Sequence, residues 1–191
     1  MEFKDVVYKR RTIRRFKQDS IPLERLRELI NLARVAPMAR NIQAVEFIIV
    51  HNAEVNKKLF PLVNWAASLP ENQRTPEKGR EPTAYIVVLV NSKIKKTYVD
   101  FDVGAAVENL LLGAVNYGIG CCWMGSINRN KIRKLLEIPD FYVIKHVISL
   151  GYPDEESLVE SYKDSFTYWK DKDGRIHVPK RSLDDIIYNI L

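Results

Sequence analysis

Residues 102–118 offer almost no position at which a helix could meet water. Val103, Ala106, Val107, Leu110, Leu111 and Ala114, with Ala105, Leu112 and Val115, fall all round a 3.6-residue period. A helix apolar on every side must be covered, so this segment predicts one buried inside the core or at a subunit interface. The layers that cover it have to come from the rest of the chain. Residues 85–90, Tyr-Ile-Val-Val-Leu-Val, are apolar on both faces and predict a central strand. Residues 45–50 and 142–150 carry the β-branched and aromatic content of strands, and residues 121–124 read as a short buried one.

Amphipathic helices fill the intervals. Phe3, Val6 and Val7 give a short first helix. Residues 21–36 carry a clear apolar stripe behind Pro22, with Asp19 or Ser20 as a candidate cap. Shorter helices are expected at residues 54–60 and 131–137, the second capped by Asn128, and Ser182 with Asp185 makes a capping-box start for a last helix over residues 183–191. Residues 61–82 hold Trp65 among prolines and polar residues and read as a long excursion, either a lid or a surface insertion. The stretch after residue 150 is polar. No repeat or dividing linker appears, so residues 1–191 are expected to form one domain.

Charge narrows the partners. The formal net charge is +6, which favours an acidic partner: nucleic acid, a membrane surface or a phosphorylated small molecule. No apolar run reaches the roughly 20 residues of a membrane span, and Glu2, Lys4 and Asp5 interrupt any signal-peptide core, so a soluble cytoplasmic protein is expected. Cys121 and Cys122 are adjacent in an apolar stretch and read as small core residues, with a reactive thiol as the alternative.

The positive charge concentrates at residues 10–16, Arg-Arg-Thr-Ile-Arg-Arg-Phe. Guanidinium forks match phosphate oxygens two at a time and stay protonated, so the cluster reads either as an anion site or as a solvated basic turn. Several chemistries are absent: there is no phosphate-loop or complete dinucleotide fingerprint, no Gly-x-Ser-x-Gly elbow, and His51, His146 and His177 lie far apart. With no candidate nucleophile, a reaction would depend on a cofactor's own reactive atom. Nucleic-acid binding competes on charge, but basic and acidic residues alternate outside the cluster, as in Glu24-Arg25-Leu26-Arg27-Glu28.

Taken in order, the motifs resemble the FMN-dependent nitroreductase family. Residues 10–16 are similar to its Arg-Arg-Ser-x-Arg-x-Phe signature. Residues 36–43, Ala-Pro-Met-Ala-Arg-Asn-Ile-Gln, are similar to its Ala-Pro-Ser-x-x-Asn-x-Gln-Pro connector, with Met38 in place of the serine and Ala44 in place of the final proline. Residues 102–120 followed by Cys122-Trp123-Met124-Gly125 resemble its central helix and flavin-side strand, and Lys180-Arg181-Ser182-Leu183 its closing basic motif. The resemblance implies an α+β fold, a central mixed or antiparallel sheet flanked by helices. It also implies a homodimer, with the long central helix at the interface and FMN between subunits.

Carried over by position, Arg10, Arg11, Thr12 and Arg14 would hold the phosphate and ribityl chain, joined by Lys180 and Arg181. Pro37, Met38, Asn41 and Gln43, from the second subunit, would contact the rest of the flavin, and Met124 and Gly125 would lie beside its ring. Arg40 would favour the anionic reduced flavin if it faced N1; an exposed side chain is the alternative. The implied activity is NAD(P)H-dependent reduction of nitroaromatics, quinones or similar small acceptors by two-step hydride transfer, with no metal, nucleic acid or membrane involved. A flavin-binding protein of the same fold with another role, such as dehalogenation or sensing, is the alternative, followed by a basic nucleic-acid-binding domain.

Overall fold

The computed structural model describes residues 1–95 and 97–191. Four strands, β1 (Val45–Val50), β2 (Ala84–Asn91), β3 (Gly120–Met124) and β4 (Tyr142–Gly151), form one antiparallel sheet in the order β1-β2-β4-β3. Along β2 the side chains alternate between two cores. Ile86, Val88 and Val90 face one core, and Tyr85, Val87 and Leu89 the other, as the two-residue period of a strand requires.

The first core is covered by α2 (Leu23–Arg34) and α5 (Val99–Asn116), through Leu26, Leu29, Ala33, Val103, Ala106, Val107 and Leu110. Gly113 lets these two helices meet, since a Cβ there would lie 2.3 Å from Leu32 Cδ1. The second core is closed by Leu59 of α3 (Ala53–Leu59), Ile132 of α6 (Arg129–Leu135) and Trp65. Trp65 is 6% exposed and packs on Phe60, so it is a core side chain and not the lip of a lid. The rest of the excursion is fastened down: a four-residue α4 (Glu71–Arg74) follows buried Leu69, and Asn64 bonds Ser126 through its N–H.

The elements depart from sequence expectation in four places. The long helix begins at Val99, three residues before the apolar run, and ends at Asn116. For α2, Pro22 occupies the cap itself; its carbonyl takes the Arg25 and Leu26 N–H groups, and neither Asp19 nor Ser20 caps. The polar stretch after residue 150 is a second sheet, β5 (Ser157–Ser161), β6 (Trp169–Lys170) and β7 (Ile176–Lys180), in the order β5-β7-β6 with β5 parallel to β7. Ile176 seats it on Ala66 and Leu69, and His177, stacked on Trp169, lies between Glu160 and Asp171. The last helix, α7, spans Leu183–Ile186 only. Its capping box forms as expected, but Ile186, Tyr188, Ile190 and Leu191 meet no core, and so short a helix cannot extend without packing. Among the described residues, no helix is long and apolar enough to cross a membrane.

Candidate functional site

The arginine segment reaches its position by pairing with the sheet edge. After α1 (Phe3–Lys9) the chain runs extended beside β3: Thr12 bridges Cys121, and Ile13 N–H donates to the Cys121 carbonyl at 2.9 Å. Ile13 and Phe16 lie directly over a cross-strand pair of glycines, Gly120 and Gly151. A Cβ at Gly120 would sit 2.9 Å from Ile13 Cβ, and one at Gly151 would sit 2.7 Å from Phe16 Cβ. These glycines therefore hold the arginine segment against the sheet. Gly151→Ala is expected to cost about 1–3 kcal/mol through overpacking; a urea denaturation midpoint equal to that of the natural protein would refute this.

Beyond that pairing, Arg10, Arg11 and Thr12 line a cleft of about 280 Å³ whose opposite wall is Glu108 and Leu111 of α5 and Trp123 of β3. Arg10 Nε lies 3.7 Å from Glu108, a loose pair, and Arg11 donates to the Tyr8 carbonyl at 2.6 Å. Burial, and after it the charge of Arg10, lowers the pKa of the Arg11 guanidinium from its ordinary value. Crowded cations with one partial counter-charge are a site that favours an anion.

Trp123 is 38% exposed and is shared with a second hollow of about 370 Å³, lined by Asp100, Val103, Arg129, Lys145 and His146. Its ring meets His146 edge to face, centroids 5.2 Å apart. Gly125 lies against the same imidazole, and Arg129 ties the Gly125 carbonyl to those of Ile144 and Lys145. Burial, then the charges of Lys145 and Arg129, lowers the His146 pKa, which keeps the ring neutral. Met124 is buried at the end of β3, beside Gly125.

The other expected residues are placed elsewhere. Arg14 turns its guanidinium over Tyr168, 4.9 Å from the ring centroid, and its Nε is buried without a hydrogen-bond acceptor among the described residues. Arg15, whose charge the sequence counts toward an anion site, is 1% exposed and spent on Glu77 and Glu155. Pro37, Asn41 and Gln43 are exposed on the connector, and Met38 packs against the first core. Arg40 and Asn41 hold left-handed backbone, φ 57° and 54°, beside an anchor: Asp102 accepts the Ala39 N–H at 2.9 Å and pairs with Lys95 at 2.5 Å. Burial opposes ionisation of Asp102, but these partners outweigh it and hold its pKa below the ordinary value.

Asp102 precedes Glu108 by six positions on α5, about 9 Å along the axis and roughly 120° round it. The connector and the arginine cleft of one chain are thus on different faces of the helix. Lys180 and Arg181 are exposed at the end of β7, where Arg181 donates to the Asp185 carbonyl; no hydrogen bond or ion pair joins them to residues 10–14 among the described residues.

Sequence reasoning missed Glu108, Leu111 and His146 as lining residues. Glu108 had a signal, since it interrupts an otherwise apolar helical stretch. Burial raises both cysteine thiols, Cys122 to about 11, so the core reading of the pair stands. Among the described residues no group of three or more His, Cys, Asp or Glu is arranged to hold a metal.

The fold is α+β, an antiparallel sheet between helical layers, with an anion-seeking cleft at one edge. The nitroreductase family model matches residues 7–152. An Archaeoglobus fulgidus chain, provisionally named an NADH dehydrogenase or NAD(P)H nitroreductase, is 34% identical over 168 residues, 84% of this chain and 91% of that one. The iodotyrosine deiodinase of Thermotoga neapolitana is 29% identical over 79% of this chain and 88% of its own. Among solved structures, a nitroreductase family protein of Streptococcus pneumoniae superposes with TM-score 0.73 at 19% identity, covering 99% of this chain and 100% of that one. An FMN-dependent nitroreductase of Clostridium difficile gives 0.64 at 24%, covering 83% and 91%. This chain belongs to the nitroreductase family.

Proposed function

We propose that this chain is a cytoplasmic, FMN-dependent NAD(P)H oxidoreductase that reduces nitroaromatics, quinones or similar electron-poor acceptors, folded as one domain over residues 1–191. The observation that carries the reading is the cleft itself. Two crowded guanidiniums, with Glu108 as a loose counter-charge, sit against a wall of Leu111 and Trp123. A phosphate satisfies the first part and a flat ring the second, so the donor set fits FMN. Bound FMN would supply the two-electron chemistry, taking hydride from NAD(P)H at N5 and passing it to the acceptor.

The protein's share is binding and placement. Arg10, Arg11 and Thr12 would hold the phosphate end; Arg14, whose guanidinium lies over Tyr168 outside the cleft lining, would have to leave that ring to reach the ribityl chain. Gly125, steadied by Arg129, would lie beside the ring with Met124. Neutral His146 next to them adds no further charge to the hollow beyond Trp123, whose lining already holds Arg129, Lys145 and Asp100.

A second copy of the chain completes this site. On α5 the exposed and half-exposed residues Phe101, Gly104, Ala105 and Val115 share one side, Phe101 being 79% exposed. Tyr188, Ile190 and Leu191 add an exposed apolar tail. Uncovered apolar surface of this kind supports a homodimer. The partner's connector would then bring Pro37, Met38, Asn41 and Gln43 to the flavin, and Lys180 with Arg181 would join at the phosphate.

The purified protein is expected to be yellow and dimeric, and anaerobic NAD(P)H should bleach its visible flavin absorption. Reoxidation by a nitroaromatic or a quinone completes the cycle. A colourless protein that takes up no added FMN overturns the reading. The likeness to an iodotyrosine deiodinase supports dehalogenation as a second outcome: halide release from iodotyrosine, with no oxidation by nitroaromatics, would favour it.

A further inference from the structure

The second sheet meets the Arg15 network across a hollow of about 460 Å³, lined by Arg15 and Glu155 of the network and by Lys170 with the turn residues Gly174 and Arg175. Strand register brings Lys170 there. The two residues of β6 alternate, Trp169 opposite His177 and Lys170 opposite Ile176. Residues directly opposite in a ladder share a face, so Lys170 lies on the side that Ile176 buries against Ala66 and Leu69. The lysine is accordingly half-buried.

Cations and carboxylates balance in this lining, and most are already paired with one another. Arg80 holds Asp154 at 2.6 Å, Arg175 holds Asp173 at 3.0 Å, and Arg15 meets Glu155 at 3.4 Å. Glu156 is exposed and faces solvent. Among the described residues no carboxylate, Glu156 included, pairs with the Lys170 ammonium, and no acceptor takes a hydrogen bond from it. Burial, and after it the charge of Arg15, lowers the Lys170 pKa; Glu155 and Glu77 pull the other way, and Arg80 adds to the lowering.

An amine attacks an electrophile only as the free base, which desolvation and a neighbouring cation both favour. It also needs room and no partner to break from. Lys170 has both, since the hollow is of the size that admits a small molecule.

We propose that Lys170 is a site of covalent acylation, taking an acetyl group from a small acyl phosphate that enters this hollow. The amine lone pair forms a bond to the acyl carbon, and the bond from that carbon to the phosphate oxygen breaks. Phosphate leaves with that electron pair and takes up the proton shed by nitrogen. The product amide is uncharged, so its burial beside Arg15 carries no repulsion, and Glu77 and Glu155 remain with Arg15. The hollow shares no lining residue with the arginine cleft, so the site stands apart from the cofactor reading.

The test adds acetyl phosphate to the intact protein as purified, at neutral pH, and follows each lysine by peptide mass spectrometry after digestion with a protease that ignores lysine. At low conversion Lys170 is expected to be acetylated several-fold faster than Lys17 and Lys58, both of which are exposed. In urea, where the hollow is gone, that preference should vanish. The rate at Lys170 should also level off at a lower pH in the folded protein than in urea. Acetylation of Lys170 no faster than of Lys17 and Lys58, a preference that survives unfolding, or the same pH–rate profile in both states each overturn the site. The measurement needs no variant that must fold, and a colourless protein can be treated in the same way, so failure of the cofactor reading and failure of this one are distinguishable.

Discussion

Replacing Arg10 and Arg11 together by alanine is expected to weaken FMN binding by roughly 10²–10⁴-fold, the combined loss of two charge-assisted contacts worth about 1.5–3 kcal/mol each. The effect is large because neither guanidinium is neutralised inside the chain. Arg10 stands 3.7 Å from a half-exposed Glu108, and Arg11 reaches only a backbone carbonyl. For the same reason the fold should tolerate the change, since an exposed pair of that length contributes about 0–1 kcal/mol.

Fluorescence titration of the flavin-free double variant with FMN measures the loss, and circular dichroism checks the fold. The control is Arg25→Ala with Lys58→Ala. It removes the same formal charge, but the Arg25 guanidinium lies on the Tyr117 ring and Lys58 is exposed on α3. FMN affinity should hold in the control. Equal weakening in both pairs would mean that net charge, and not the cleft, attracts the phosphate; retention in both would move the phosphate elsewhere.

Strands with continuous apolar or β-branched runs were legible because burial on both faces leaves a local mark. Residues 45–50 match β1, residues 85–90 fall one residue short at each end of β2, and residues 142–150 fall one residue short of the end of β4. The second sheet left no such mark. Its strands β5 and β6 are short and partly exposed, and β5 pairs with β7 in parallel, so its order depends on contacts that no local period encodes. The capping box of α7 was legible, yet the helix length was not, since that depends on what Ile186 and Tyr188 pack against.

The arginine cluster failed as a single unit for a related reason. Sequence places four guanidiniums side by side, but pairing with β3 divides them. Arg10 and Arg11 go to the cleft, Arg14 to Tyr168, and Arg15 into the interior. The carboxylates that answer Arg15 lie 62 and 140 positions away, beyond the reach of any spacing rule.

That buried network carries the largest expected effect on stability: Arg15→Met should destabilise the fold by about 3–5 kcal/mol, the usual result of removing one partner from a buried ion pair. Arg15 grips Glu77 with both ends of its fork, Nε to Oε2 at 2.7 Å and Nη2 to Oε1 at 2.8 Å, and meets Glu155 at 3.4 Å. The Glu155 side chain is 2% exposed, and its other oxygen accepts the Arg14 N–H at 2.6 Å. With Arg15 gone, Glu155 is a buried carboxylate lacking its ion-pair partner. Adding Glu155→Gln should therefore recover part of the loss, because the amide still accepts from Arg14 and carries no charge; no recovery would mean the loss is one of packing. The pH dependence has a definite sign. The hydrogen bond from Arg15, foremost, holds Glu77 at about 2 against the opposing effect of burial. A depressed carboxylate stabilises the fold above its ordinary value of about 4.5, and that contribution fades as pH falls toward 2. Urea unfolding should thus separate the natural protein from Arg15→Met widely at pH 7 and progressively less below about 4.5. A gap that stays constant down to pH 3 would show that the pairing of the Arg15 charge with Glu77 is not the source of the lost stability.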